Sequence, residues 1–202
     1  MSTQEPAPAP GSAPDRRTLI ADTAIGLVAS GGLRGLTHRA VDGAAGLPAG
    51  STSYYFRTRT ALIAACYRRL AELDVSEGPL DPPADRDSAA RAFGALLHHW
   101  MTAGRERQLA RFELSLEAAR NPELEPDLRE AGLAVRARAA AVLAALGARE
   151  PQESAELLAA WTDGLLYDRL AGALAHARPA PDPAELTATV RRMLDAVLDT
   201  AL

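Results

Sequence analysis

The chain has 202 residues, is 48% hydrophobic and 24% charged, and carries a net charge of −4, the make-up of a soluble globular protein with material for one good core or two small ones. Its most apolar run, residues 131 to 147, is interrupted by Arg136 and Arg138 and falls short of the ~20 apolar residues a bilayer crossing needs, so no membrane partner is expected. A single cysteine, Cys66, excludes an intramolecular disulfide and a thiolate metal cluster, and points to the cytoplasm.

Residues 1 to 14, MSTQEPAPAPGSAP, lack apolar periodicity and are rich in Pro and Ala, which predicts a disordered tail. Arg16 and Arg17 ahead of an apolar segment imitate an export signal, but Asp22 breaks that segment, and Ile20, Ala24, Leu27 and Val28 recur at helical spacing. From Asp15 onward no stretch alternates with period two, and Ala, Leu, Arg and Glu dominate, so the fold is expected to be all-α. The spacing predicts nine helices near 15 to 30, 37 to 44, 48 to 54, 58 to 77, 85 to 103, 105 to 120, 126 to 146, 151 to 177 and 183 to 201. The breaks are Gly31-Gly32, Gly46, the Pro-rich stretch 79 to 85, Gly104, Asn121-Pro122, Gly147 and the stretch 178 to 183. Asp182, Pro183 and Glu185 write a cap, a first-turn proline and a capping-box acid before the last helix.

The most informative stretch is residues 37 to 56, THRAVDGAAGLPAGSTSYYF. Thr37 can cap a short helix with an apolar face (Ala40, Val41, Ala44, Ala45), and Gly46 suits a left-handed turn. Leu47 is an apolar plug, and Pro48 opens a second helix whose Gly50, Ser51, Thr52 and Ser53 are too small and polar for a core. Two short helices around a glycine turn are a helix-turn-helix, whose second helix enters the DNA major groove. Charge agrees with this: residues 15 to 70 hold eight Arg against three Asp, net +5, which leaves −9 for the rest. Positive potential is thus gathered at one end of an acidic molecule. All 22 basic residues are Arg.

At these residues the chain resembles the TetR family of transcriptional regulators. Thr37, Val41, Ala45, Gly46, Gly50, Tyr55, Phe56 and Leu62 match its amino-terminal pattern, with Leu47, Thr58 and Arg59 as conservative stand-ins. Asp42 replaces the usual small Ala, Pro48 the usual Ser, and Ser53 a Tyr that Tyr54 is expected to replace at a phosphate. The resemblance is specific over residues 16 to about 67. With it, the expected organisation is a tail at 1–14, a helix-turn-helix domain at 15–57 and a helical ligand-binding and dimerisation domain at 58–202. Phosphate contacts are assigned to Thr37, Tyr54, Tyr55 and Arg59, and base reading to Arg39, Ser51, Thr52 and Ser53.

One reading unit binds weakly, so a homodimer on a near-palindromic double-stranded operator is expected, its units about 34 Å apart. The last two helices offer a wide apolar surface, from which Leu158, Gly164, Leu165, Val190, Leu194 and Val197 are taken as the dimer interface. The resemblance further implies a small-molecule effector in the helical body that shifts the fourth helix and releases DNA, most often relieving repression. Scarce aromatics cluster in the middle helices, so Phe93, Leu97, Trp100, Phe112, Leu116, Trp161 and Tyr167 are taken as the lining, with His99, Arg111, Glu113 and Asp168 as polar candidates. No catalytic residue, metal or cofactor is expected, since there is no lysine, no nucleophile elbow, no H-E-x-x-H, no P-loop and no i,i+4 histidine pair. The rival reading is an all-helical protein-binding adaptor without DNA activity, which would not require positive charge gathered at one end.

Overall fold

A computed structural model describes residues 15–77 and 83–199. The predicted tail at 1–14 and much of the proline-rich break after residue 77 lie outside the described residues. The described residues form nine α-helices and one 3-10 turn, without strands: α1 (Arg16–Gly35), α2 (His38–Ala44), α3 (Ser51–Tyr55), α4 (Arg59–Glu77), α5 (Arg86–Met101), α6 (Arg105–Arg120), the 3-10 turn Pro122–Leu124, α7 (Glu125–Ala145), α8 (Pro151–Leu170) and α9 (Pro183–Asp199). Each expected helix is present among the described residues, and Gly46 and Gly147 take the left-handed φ expected of them at the ends of α2 and α7. Gly32 leaves helical geometry at φ 64° and kinks α1 near its end. Asp85 and Ser88 close a reciprocal capping box on α5.

Three boundaries differ from the sequence reading. α1 runs on to Gly35 rather than 30, the expected break at Gly31-Gly32 being only a kink within it. α3 starts at Ser51 rather than Pro48, because Gly50 takes a left-handed φ of 90° and Pro48 to Gly50 form a turn instead of a first helical turn. α8 stops at Leu170 rather than 177: Ala171 leaves helical geometry, the Leu170 carbonyl accepts from Arg105, and Gly172 lies so close to Asp168 that a Cβ there would meet its backbone at 2.7 Å.

Two hydrophobic clusters fill the molecule. The first joins α1 (Ile20, Ala24, Val28), Val41 of α2 and Phe56 to α4 (Leu62, Ile63, Leu70) and α6 (Ala110, Leu114). The expected domain boundary at 57/58 therefore falls inside one continuous cluster, with α4 and α6 carrying the small three-helix head. Cys66 belongs to this cluster, and burial pushes its thiol up to about 12, which removes it from thiolate chemistry at neutral pH. The second cluster packs α5 against α8 and α9, with Leu97, Leu158, Leu166, Leu186, Val190, Leu194 and Val197 in its centre. α5 and α9 approach closely because Gly94 has no side chain; a Cβ there would stand 2.7 Å from Thr187 Oγ1 and 2.9 Å from its Cα.

That second cluster corrects the interface residues expected from sequence. Leu158, Val190, Leu194 and Val197 are all buried within the single chain, so they stabilise the monomer and are not free to meet a second one. The face that α8 turns outward carries Ala160, Gly164 and Tyr167, flanked by half-buried Leu157, Trp161 and Leu165.

Candidate functional site

α2 and α3 are too short to own a core, so caps position them together with the burial of Val41 and Phe56 in the first cluster. Thr37 Oγ1 accepts the Ala40 N–H at 3.1 Å and starts α2. Asp42, only 5% exposed, reaches from α2 to the start of α3. There its carboxylate accepts the Gly50 N–H at 2.8 Å, the Thr52 N–H at 2.7 Å and the Thr52 hydroxyl at 2.6 Å. The Thr52 hydroxyl bond, assisted by the two backbone donors, holds the Asp42 carboxyl below its ordinary value despite the burial. α3 thus receives its N-terminal anion from the preceding helix instead of from its own cap residue, which is the glycine Gly50. At the other end His38 Nε2 lies 2.7 Å from the Phe56 carbonyl, and Arg17 lies over the Tyr55 and Phe56 rings. Asp42 was legible as an oddity on an apolar helix face, a charge that needed partners, but its role was missed.

This network separates the residues assigned to DNA. Arg39, Ser53, Thr37 and Tyr54 are exposed, Tyr54 at 80% with its ring edge-on to Tyr55. Ser51 is half-buried and its hydroxyl donates to the Pro48 carbonyl. Tyr55 is half-buried and packs on the first cluster. Thr52 is corrected: it is 0% exposed, and both its hydroxyl and its N–H serve Asp42, so its side chain has no path to a base. Arg59 is exposed, and its guanidinium donates to the Leu33 carbonyl at 2.9 Å and to Glu117 at 3.1 Å. It ties α4 to the end of α1 and to α6, and exposed Arg57, two residues earlier, is the freer cation beside α3.

α4 is pinned along its length. Arg69 holds Asp22 of α1 through two bonds, 2.7 and 3.2 Å, and Arg68 holds Asp127 of α7 at 2.7 Å. At its C-terminal end Glu77 receives both terminal nitrogens of Arg107 and the Trp100 indole N–H at 3.2 Å, with His99 Nε2 3.4 Å from its carboxyl. Burial pushes the Glu77 carboxyl up, but Arg107, Trp100 and His99 together outweigh it and hold it below the ordinary value.

Beside α4, and reaching α5, α6, α7 and α8, lies a mainly apolar cavity of about 600 Å³. Tyr67, Leu70, Ala71 and Asp74 of α4 face it together with Phe93, Leu96 and Trp100 of α5, Gln108 and Arg111 of α6, Leu133 and Val142 of α7, and Thr162 and Asp163 of α8. Of the aromatic and apolar residues proposed as lining, Phe93 and Trp100 are brought together here. Five are not. Leu97 is buried in the second cluster and Trp161 packs at its edge. Phe112 and Tyr167 stack edge-to-face with each other elsewhere, and Leu116 and Tyr167 are 54% and 52% exposed. Among the polar candidates Arg111 lines the cavity, its guanidinium committed to Gln108 and Asp163. His99, Glu113 and Asp168 do not line it. Asp74 was not singled out in the sequence. Only the tertiary arrangement opens this side of α4 onto a cavity.

Among the described residues no group of His, Cys, Asp and Glu is arranged to hold a metal ion, and no helix is long and apolar enough to cross a membrane.

No curated protein sequence matches the chain significantly. Residues 84–200 match the model of the tetracyclin repressor-like C-terminal domain. The fold is similar to that of a transcriptional regulator from Rhodococcus sp. Rha1, with a TM-score of 0.74 and 24% identity over 92% of this chain and 97% of that one. It is also similar to a TetR-family member from Streptomyces coelicolor A3, at TM-score 0.67 and 30% identity over 89% and 98% of the two chains. The multidrug binding protein EbrR, solved with ethidium, superposes at TM-score 0.65 with 30% identity over 89% and 98%; EbrR has also been solved with imidazole, proflavin and malachite green. With a family-model match over more than half of its length and a helical fold shared with these regulators, the chain belongs to the TetR family of transcriptional regulators.

Proposed function

We infer that this regulator is a dimeric, ligand-released repressor that acts by binding rather than by catalysis. The observation that carries the reading is the continuity between head and cavity. α4 begins two residues after Arg57, is bonded to α1 through Arg59 and Arg69, and contributes four residues to the cavity wall. A molecule that fills the cavity therefore presses on the helix that carries the reading head. If it prefers the non-binding spacing a hundredfold, about 2.7 kcal/mol is directed toward release.

On DNA, exposed Tyr54, Thr37 and Arg57 are suited to phosphates, and Arg39 with Ser53 and Ser51 to base edges, Arg39 to guanine in particular. Asp42 and Thr52 would hold α3 at the angle that aims these groups. The outward face of α8, with Leu157, Trp161, Gly164 and Leu165, is the proposed dimer surface together with Met193 of α9. Among the described residues nothing lies within 4 Å of the position of a Gly164 Cβ. A mid-helix glycine costs roughly 1 kcal/mol relative to alanine, and close approach of a second helix accounts for it. The small molecules bound by EbrR support an effector of similar size in the cavity, and gene control of this type places the protein in the cytoplasm.

The test is selection of DNA from a random pool, followed by binding at rising salt. Enrichment of an inverted repeat and a steep fall of affinity with salt are expected. Tyr54→Ala should weaken all sequences alike, whereas Arg39→Ala should also blur one position in each half-site. Recovery of unrelated sequences without symmetry would return the molecule to the adaptor class.

A further inference from the structure

The charged side chains that line the cavity are nearly all paired. Arg111 donates to Asp163 at 2.8 Å and Arg136 to Glu156 at 2.7 Å. Arg129 meets Glu125 at 3.4 Å, and Arg138 donates to the Val75 carbonyl at 2.6 Å. Asp74 differs: its Oδ1 is closed off from solvent and has no hydrogen-bond partner. A buried carboxylate oxygen without a donor is an unfavourable arrangement that a bound donor relieves. The other such atom among the described residues is Arg107 Nε, in a guanidinium whose two terminal nitrogens are already engaged by Glu77.

We propose that the effector is a cationic amphiphile whose protonated nitrogen sits at the Asp74 carboxylate while its apolar body lies against Phe93 and Trp100. This rests on the reading of the cavity as an effector site and names the chemistry that site selects. An anion is disfavoured, since the guanidinium groups on the wall are occupied and the unsatisfied group is an acid. A neutral apolar molecule would fill the space but leave Oδ1 unpaired. The cation also binds α4 itself, the helix that reaches the reading head.

The surroundings of Asp74 set a pH dependence. Burial pushes its carboxyl up to about 6; Arg111 and Arg107 of α6 oppose this, and Glu77 of α4 and Asp163 of α8 reinforce it. α7 contributes Arg129, Arg136 and Arg138 to the same cavity, and α5 only uncharged residues. Because the cation binds the ionised carboxylate, its affinity should be level above neutral pH. It should fall about tenfold per pH unit once the pH drops below the Asp74 range.

The test uses the full chain without DNA in calorimetric titrations at mildly alkaline pH, with three tricyclic probes of similar size: proflavin as the cation, acridine as the neutral molecule and anthracene carboxylate as the anion. Proflavin is expected to bind at least about tenfold tighter than acridine, and Asp74→Asn to lose that advantage and the pH dependence while binding acridine unchanged. Asp74→Asn removes a buried charge, and its thermal unfolding curve verifies that it is folded. If acridine and proflavin bind equally and Asp74→Asn changes neither, Asp74 serves the fold, through Arg107 for example, and the assignment falls while the effector cavity stands. Tightest binding of the anion also overturns it. Failure of all three probes on folded protein removes the assignment together with the effector reading.

Discussion

Asp42 sits where helical spacing asks for an apolar residue, and three donors converge on it. Truncation to Ala leaves the Gly50 and Thr52 N–H groups without their acceptor, at a cost of about 1 to 3 kcal/mol. Asp42→Ala is therefore expected to lower stability by that amount in urea titrations, and to weaken binding to every DNA sequence, since it loosens α3 as a whole. Asp42→Asn, which keeps one acceptor oxygen, should fall between. The folded carboxyl lies below its ordinary value of 3.8, so its stabilisation is present above that pH and is lost as the pH falls through the depressed folded value. The difference between wild type and Asp42→Asn should accordingly narrow in acid-unfolding curves below about pH 4, and a constant difference across that range would show that the charge is not what Asp42 supplies.

Among the elements, α5 and α9 form the tightest pair, and Gly94 decides their separation. A Cβ at this position meets the Thr187 backbone as well as its hydroxyl, so the clash cannot be relieved by rotating a side chain. Gly94→Ala should cost about 1 to 3 kcal/mol in equilibrium unfolding, as over-packing does elsewhere, although alanine is the better helix former. Adding Thr187→Ala should restore only part of the loss, because the Thr187 backbone still stands 2.9 Å from the new methyl group. Full restoration would place the close approach at the hydroxyl alone.

For the whole molecule, the proposed dimer face and the reading head are separate surfaces that must act together. Gly164→Arg puts a long charged side chain on the outward face of α8, where no other described residue lies within 4 Å of the Cβ position. Subunit stability should hold or rise slightly, arginine being a better helix former than glycine. Sedimentation should show monomers, and affinity for an inverted repeat should fall by more than about a hundredfold as the second head is lost. A variant that remains dimeric would move the interface away from Gly164.

The nine helices of the described residues were readable from local signals, as were the turns at Gly46 and Gly147, because capping, helical spacing and turn chemistry act over a few residues and need no partner; the end of α8 at Leu170, where Arg105 of α6 takes the last carbonyl, was not. The helix-turn-helix was readable for the same reason, its Thr37 cap and Gly46 turn being local. What a side chain faces is a different matter. Thr52 and Ser53 are neighbours of like chemistry in the sequence, yet one is sealed under Asp42 and the other is open. Val190 and Leu194 look like a spare apolar stripe until α5 covers them. Likewise Asp74 reads as one acid among many on α4, and only the packing of α5 to α8 around it leaves its oxygen buried beside a cavity. Periodicity states that a helix has an apolar face; which helix covers it, and which polar atom is trapped beneath, follows from long-range packing that no window of neighbouring residues contains.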